Sequence, residues 1–174
     1  MEESRTARPA GRLTVLSGPS GTGRHRVAEL ARARSPARWR PVPVTTRSPR
    51  AGEVDGVDYR FVSRAEFDAL LRAGDLLEWA EVGGERYGTP RAPVESRLRR
   101  GEPVLVSLDL AGARQVGQAV PDAMSVLLVH PDAVADGHRQ ARAAGWEYDT
   151  TVVNDLVERA VAELVRLLGP SAPG

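Results

Sequence analysis

The stretch Leu13-Thr14-Val15-Leu16-Ser17-Gly18-Pro19-Ser20-Gly21-Thr22-Gly23-Arg24-His25 decides the fold. Its first four residues form a short apolar run of the kind that makes a buried strand. A glycine-rich stretch from Ser17 to Gly23 follows. Arg24 to Arg34 then carries Val27, Ala28, Leu30 and Ala31 at helical spacing on one side. Strand, glycine loop and helix in that order open a nucleotide-binding α/β fold. The glycines let successive backbone amides turn inward as a nest for phosphate oxygens at a helix N-terminus. The spacing overlays the pattern G-x-x-x-x-G-K-[ST], through Gly18, Ser20, Gly21 and Gly23, but its last two positions hold Arg24 and His25. Arginine keeps the charge in a longer, planar, forked group. Histidine is a poor ligand for a hard cation that prefers oxygen. The loop therefore reads as degenerate: the backbone cradle is intact and its side-chain chemistry has changed.

On the C-terminal side, Pro36 and Pro41 to Pro43 stop the first helix. Val57 to Val62 alternates as a strand. Ser63 caps a helix over Arg64–Arg72, with Glu66 at the capping-box position and Gly74 ending it. Leu76–Val82 is extended, and Arg91–Arg100 is helical with Gly101 as its C-terminal stop. Val104–Leu108, Ser125–Val129 and Thr150–Val153 are strands, and Leu156–Leu168 is an amphipathic helix with Val157, Val161, Leu164, Val165 and Leu168 inward. Strands alternating with helices imply a mainly parallel sheet with helices on both faces.

The chain has 174 residues, suited to one domain, with 24 basic against 23 acidic side chains and a net charge of +1. That balance argues against nucleic-acid binding driven by bulk charge. Cysteine is absent, which excludes disulfides, thiolate metal sites and thiol nucleophiles. No apolar run approaches the roughly 20 residues needed to span a bilayer, and Met1–Gly11 lacks the apolar core of a secretory signal. A cytoplasmic protein without a membrane partner is expected. Every basic residue is arginine, so no lysine ammonium is available as a phosphate contact or a base.

Further blocks carry a resemblance. Thr45-Thr46-Arg47-Ser48-Pro49-Arg50, Gly52-Glu53-Val54-Asp55-Gly56-Val57-Asp58-Tyr59, Leu77-Glu78-Trp79-Ala80 and Arg86-Tyr87-Gly88-Thr89-Pro90 resemble the nucleotide-binding half of guanylate kinases. The glycine loop, Leu108-Asp109-Leu110-Ala111-Gly112-Ala113-Arg114 and Val152-Val153-Asn154-Asp155 extend the likeness over nearly the whole chain. The resemblance implies a P-loop kinase fold over 11–169. Its core would be 11–37 and 91–169, with a small α+β GMP-binding subdomain at 38–90, a shortened lid at 131–147, and flexible tails at 1–10 and 170–174. It also implies that Arg47, Arg50, Tyr59 and Tyr87 grip the phosphate of GMP. Glu78 would read the guanine N1 and exocyclic amine, Thr89 would face the base, and Asp109 would belong to the same GMP- and phosphate-binding set. Two guanidinium forks and two phenols form a chemically sound shell for a phosphate.

This chain departs from the family pattern at several places. Arg24 and His25 replace lysine and hydroxyl, Ser107 stands where an acid precedes Asp109, and Ala111 replaces glutamine. Only Pro131–Glu147 separates His130 from Tyr148-Asp149, so the lid looks deleted, with Arg139 and Arg142 as remnants. Pro43 stands where the family has a serine, giving a V-P-x-T-T-R reading similar to guanylate-kinase-like scaffold domains that hold phosphorylated peptides. The expectation is a binding protein that keeps a pocket for GMP, a related guanine nucleotide or a phosphorylated peptide and has lost phosphoryl transfer. On that reading no cofactor and no metal are expected. The alternative is an active kinase using ATP and Mg²⁺ on GMP or a related nucleotide, with Arg24 and Asp109 as its catalytic residues. A third reading is different chemistry on a bound nucleotide, with His25 or His138 near it.

Overall fold

A computed structural model describes residues 11–169; the tails expected at 1–10 and 170–174 lie outside the described residues. β1 (Leu13–Ser17) is buried at every position, as a central strand covered on both faces must be. It runs between β6 (Val104–Ser107) and β7 (Met124–Val129), and β8 (Thr150–Val153) completes a sheet of order β6-β1-β7-β8. Every pairing is parallel, with Val15 opposite both Val106 and Ser125. On one face, α1 (Arg24–Ala33) and α6 (Val157–Leu168) pack Val27, Ala31, Val161 and Leu164 against Leu16, Leu105 and Leu128. On the other, α3 (Arg91–Arg99), α4 (Leu110–Ala119) and α5 (Val134–Ala143) bring Val94, Val116 and Ala141 to Leu13, Val15 and Val129. The expected parallel sheet with helices on both faces is the observed α/β architecture.

A smaller sheet stands beside the first. Its order is β3-β2-β5-β4, from β2 (Val44–Thr45), β3 (Arg60–Phe61), β4 (Leu76–Val82) and β5 (Glu85–Pro90). β2 and β3 are parallel, and the other pairs are antiparallel. α2 (Arg64–Ala73) covers it and inserts Phe67 between Val44 and Leu76 as a separate small core. That helix starts as the sequence expects. Ser63 Oγ accepts from the Glu66 amide at 3.1 Å, and Glu66 Oε2 accepts from the Ser63 amide at 2.7 Å. It ends at Gly74, whose φ of 72° suits glycine.

One expectation fails. The alternation Val57 to Val62 gives a strand only at Arg60–Phe61, and Val54 and Val57 are 55% and 62% exposed. Turn chemistry prevails over periodicity there. Asp58 accepts from the Val54 amide at 2.7 Å, Asp55 from the Phe61 amide at 2.9 Å, and Gly56 takes a φ of 77°. Smaller shifts are at ends: α1 stops at Ala33 rather than Arg34, and β6 stops at Ser107 rather than Leu108. Leu30, expected inward, is only partly buried, and Arg32 takes an inward place instead. The segment expected as a shortened lid folds as a short 3₁₀ turn (Pro131–Ala133) and α5. No helix of the described residues is long and apolar enough to cross a membrane.

Because Phe67 is fully buried in a core of few residues, its loss leaves a cavity that little can fill. Phe67→Ala is expected to cost about 3–5 kcal/mol in urea denaturation.

Candidate functional site

The glycine loop is built by backbone constraint. A Cβ on Gly18 would strike the Leu128 carbonyl oxygen, so the strand-to-loop corner tolerates no side chain there. Gly23 sits at the helix N-cap with a φ of 77°, and a Cβ there would crowd Asn154. The Asn154 amide donates to the Thr22 carbonyl at 2.8 Å, and Thr22 Oγ1 donates to the Pro19 carbonyl at 3.0 Å. Ser20, Gly21 and His25 are exposed along the loop and the first turn of α1. Arg24 turns back, and its Nη1 donates to the Gly18 carbonyl at 2.6 Å. Burial pushes its guanidinium below the ordinary arginine range, while the Asp109 carboxylate pulls it back up.

Across the cleft, Arg47 leaves β2 and lies under aromatic rings, 4.8 Å from the centroid of Tyr59 and 5.8 Å from that of Phe61. Tyr59 and Tyr87 meet edge to face at 6.1 Å, and both phenols lie close enough to the Arg47 guanidinium to help raise it above the ordinary arginine range. Three of the four residues expected at a phosphate therefore do converge. Arg50 does so less closely: it is exposed, and its backbone amide, not its guanidinium, is fixed, donating to Glu53 Oε2 at 2.7 Å.

Glu53 organises this corner. It holds the Arg47 fork with both oxygens, at 2.6 and 2.7 Å. The Arg47 bond holds its carboxyl at about 2, helped by the Arg50 amide, and Glu53 in turn raises Arg47 above the usual arginine value. Glu53 has no assigned role in the sequence reading. The available signal was a lone acid within bidentate reach of Arg47 across a proline-containing turn.

Glu78 and Thr89 face each other on β4 and β5, in register. Glu78 is 8% and Thr89 7% exposed, and Thr89 Oγ1 donates to Glu78 Oε1 at 2.6 Å. Burial raises the Glu78 carboxyl above its ordinary value; the Thr89 bond opposes this, and Asp109 adds to it. Asp109 caps α4 by accepting from the Gly112 amide at 2.7 Å. A Cβ on Gly112 would lie 3.1 Å from Asp109 Oδ1 and 3.2 Å from Glu78 Oε2, so a bare glycine separates the two carboxylates. Tyr59, Glu78, Tyr87 and Thr89 line one cavity of about 290 Å³, which His25 and Ser107 border from the side of the glycine loop. His138 lies elsewhere, stacked on Tyr148 with its Nε2 3.1 Å from Thr151 Oγ1.

The guanylate kinase family model matches residues 10–142. A guanylate kinase of Thermobifida fusca is 47% identical, the match covering 90% of this chain and 90% of that one. One of Streptomyces coelicolor is 46% identical over 92% of this chain and 91% of the relative. This chain belongs to the guanylate kinase family. The crystal structure of guanylate kinase from Anaplasma phagocytophilum superposes with a TM-score of 0.65 at 32% identity, over 92% of this chain and 86% of that one.

Members of this family are expected to meet Mg²⁺ with their nucleotide, so the donors present matter. The loop end offers the Asp109 carboxylate, one oxygen of which already caps α4, and the His25 imidazole. Imidazole suits zinc or copper better than a hard ion, and among the described residues no three His, Asp or Glu side chains gather as a metal site. These residues do not fit a protein-held Mg²⁺. Such an ion would arrive as part of the substrate, chelated by nucleotide phosphates and water.

Glu53 makes a testable handle. Its folded value lies below the ordinary 4.5, so its ion pair stabilises fully above about 4.5 and is lost as the pH falls through about 2. Glu53→Gln is expected to lower the melting temperature at pH 7, with the gap to the parent closing as the pH approaches 2.

Proposed function

We propose that this protein binds GMP in the cleft between the two sheets and phosphorylates it with ATP, giving ADP and GDP. One observation carries the reading. The Arg47 guanidinium lies under the Tyr59 ring, and Tyr59 and Tyr87 line the same cavity as a buried carboxylate on a hydroxyl, beside the glycine loop. The first pair suits a phosphate monoester. The second suits the guanine edge that carries two donors, N1–H and the 2-amino group, which a carboxylate can accept together.

On this reading Arg47, Tyr59 and Tyr87 hold the GMP phosphate, and Arg50 swings in from the turn. Glu78 must be ionised to accept from N1–H, and the base supplies the donors that burial has taken from it. Thr89 keeps the carboxylate aimed. The loop amides from Gly18 to Gly23 receive the phosphates of ATP. Arg24 neutralises the transferring group, and Asp109 orders the groups around it. Positioning and charge make up nearly all of phosphoryl-transfer catalysis, and this chain supplies both with arginine alone.

A second reading is GMP binding without transfer, as the sequence by itself suggested. It draws on Arg24 bonding its own loop, on Ser107 before Asp109, and on a lid we place at 131–147 in shortened form. A guanylate kinase of Rhodococcus jostii aligns over 190 positions with 97% of this 174-residue chain, so this chain skips a stretch of its relative. Relatives at 41–47% identity that bear the kinase name favour transfer over its loss.

ADP release coupled to NADH oxidation decides between them. The expected result is ADP formation that requires GMP. Calorimetric GMP binding with no GMP-dependent ADP would overturn the kinase and leave the binding protein.

Glu78→Gln separates function from stability. Since burial raises Glu78, the folded state binds its proton more readily than the unfolded chain, and stability falls as the pH rises through the raised value. The neutral amide removes that burden. The variant is expected to melt at or above the parent temperature at pH 7 without ligand, while its GMP affinity drops about tenfold or more.

A further inference from the structure

Guanine has two readable edges. Glu78 answers the donor edge, but O6 and N7 are acceptors and need donors of their own. An acceptor closed into a cleft without a partner costs binding energy. The wall of the cavity formed by Pro41, Pro43 and Gly88 carries no side-chain donor. The Thr89 hydroxyl is committed to Glu78. Arg32 is committed as well: its Nε and Nη2 donate to the Leu105 carbonyl at 3.2 and 3.0 Å, and its Nη1 pairs with Glu29.

Arg40 also lines this cavity. Unlike Arg32, its guanidinium bonds no other described residue, and it is near enough for its charge to act on Arg32. Two like charges at one mouth repel, and an acceptor-rich ligand edge relieves that repulsion. The backbone presents Arg40 stiffly. It precedes Pro41, which restricts it to extended conformations. Pro41 itself is buried, and the Pro43 carbonyl accepts from the Arg60 amide at 2.8 Å. The Tyr59 and Tyr87 phenols face the phosphate on the GMP reading, and the other donors on the rim are single ones, the Ser107 hydroxyl and the His25 ring. Only a guanidinium presents the two parallel N–H groups that match O6 and N7.

We propose that Arg40 is the specificity residue that reads the O6 and N7 edge of the base, opposite Glu78. This rests on the GMP reading above and adds a second recognition arm to it. It gives the chain a way to select guanine through a residue outside the Thr45–Arg50 turn.

Calorimetry with GMP, 6-thio-GMP and 7-deaza-GMP tests it, because each analogue weakens one acceptor and keeps the donor edge and the phosphate. The parent is expected to prefer GMP over both by about tenfold. Arg40→Ala should weaken GMP by a similar factor, leave the analogues within about twofold, and so erase the preference. Arg40→Lys, which keeps the charge without the fork, should erase it too. Arg40 is exposed, so both variants should melt with the parent. A preference that survives in either variant, or an equal loss on all three ligands, overturns the proposal while the GMP reading stands. A parent protein that binds none of the three overturns both.

Discussion

A guanidinium that is 11% exposed and packed under Tyr59 and Phe61 must have a counter-charge, and Glu53 is that charge. Taking an ion out of water is costly unless it is paired and hydrogen-bonded. Glu53 does more than neutralise. By accepting from both Arg47 nitrogens and from the Arg50 amide, it fixes the plane of the fork and closes the turn between them. Rotation of the fork is then limited before any ligand arrives, so an incoming phosphate meets preset donors and loses less entropy on binding. Nη1 and Nη2 both serve Glu53, and Nη1 also donates to the Ser48 carbonyl at 3.1 Å. On the GMP reading, this pair would set where the phosphate goes, with Tyr59 and Tyr87 lining the cavity beside it.

The second constraint is where Glu78 sits. β4 is tied to α4 by a doubled amide contact, with the Gln115 side chain donating to the Trp79 carbonyl at 2.9 Å and accepting from the Trp79 amide at 3.0 Å. The residue before Trp79 is therefore held at the seam between the small sheet and the large one. There Gly112 allows Glu78 and Asp109 to approach, and Asp109 in turn acts on Arg24. Glu78, the Asp109 cap of α4 and the loop cation Arg24 form one electrostatic chain. A change of charge at any member is felt by the next.

Much of this was legible in the sequence because it is local. The strand, glycine loop and helix from Leu13 to Ala33 depend on contiguous residues, as do the capping box at Ser63 and Glu66 and the stop at Gly74. What was missed depends on contacts across distance. The Val57–Val62 alternation looked like a strand because periodicity ignores Asp55 and Asp58, whose carboxylates satisfy amides that a ladder would otherwise use. β5 was hidden because Glu85–Pro90 lacks an apolar face and pairs through its backbone. Arg47, Tyr59, Tyr87, Glu78 and Thr89 were found through the resemblance and do come together. Glu53 and Gln115 were not, since their parts exist only once the turn and α4 are in place. Arg50 is exposed, with only its backbone amide fixed by Glu53, because a fork three residues along a turn need not point where its neighbour points.

The glycine loop poses the last question of sign. Arg24 lies against the Gly18 carbonyl, so a charged donor is at present matched with a neutral acceptor. A phosphate oxygen is a stronger partner, because it sets a full negative charge opposite the cation where the carbonyl offers only a dipole. Exchange of the carbonyl for a phosphate thus favours the phosphate, provided that water can take over the released carbonyl at the rim of the loop. Burial works the same way: it disfavours the lone cation on Arg24, and the dianionic end of a nucleotide would remove that penalty. The self-contact of Arg24 is then a resting arrangement that nucleotide binding displaces. On the kinase reading, that step would let a lysine-free loop serve phosphoryl transfer.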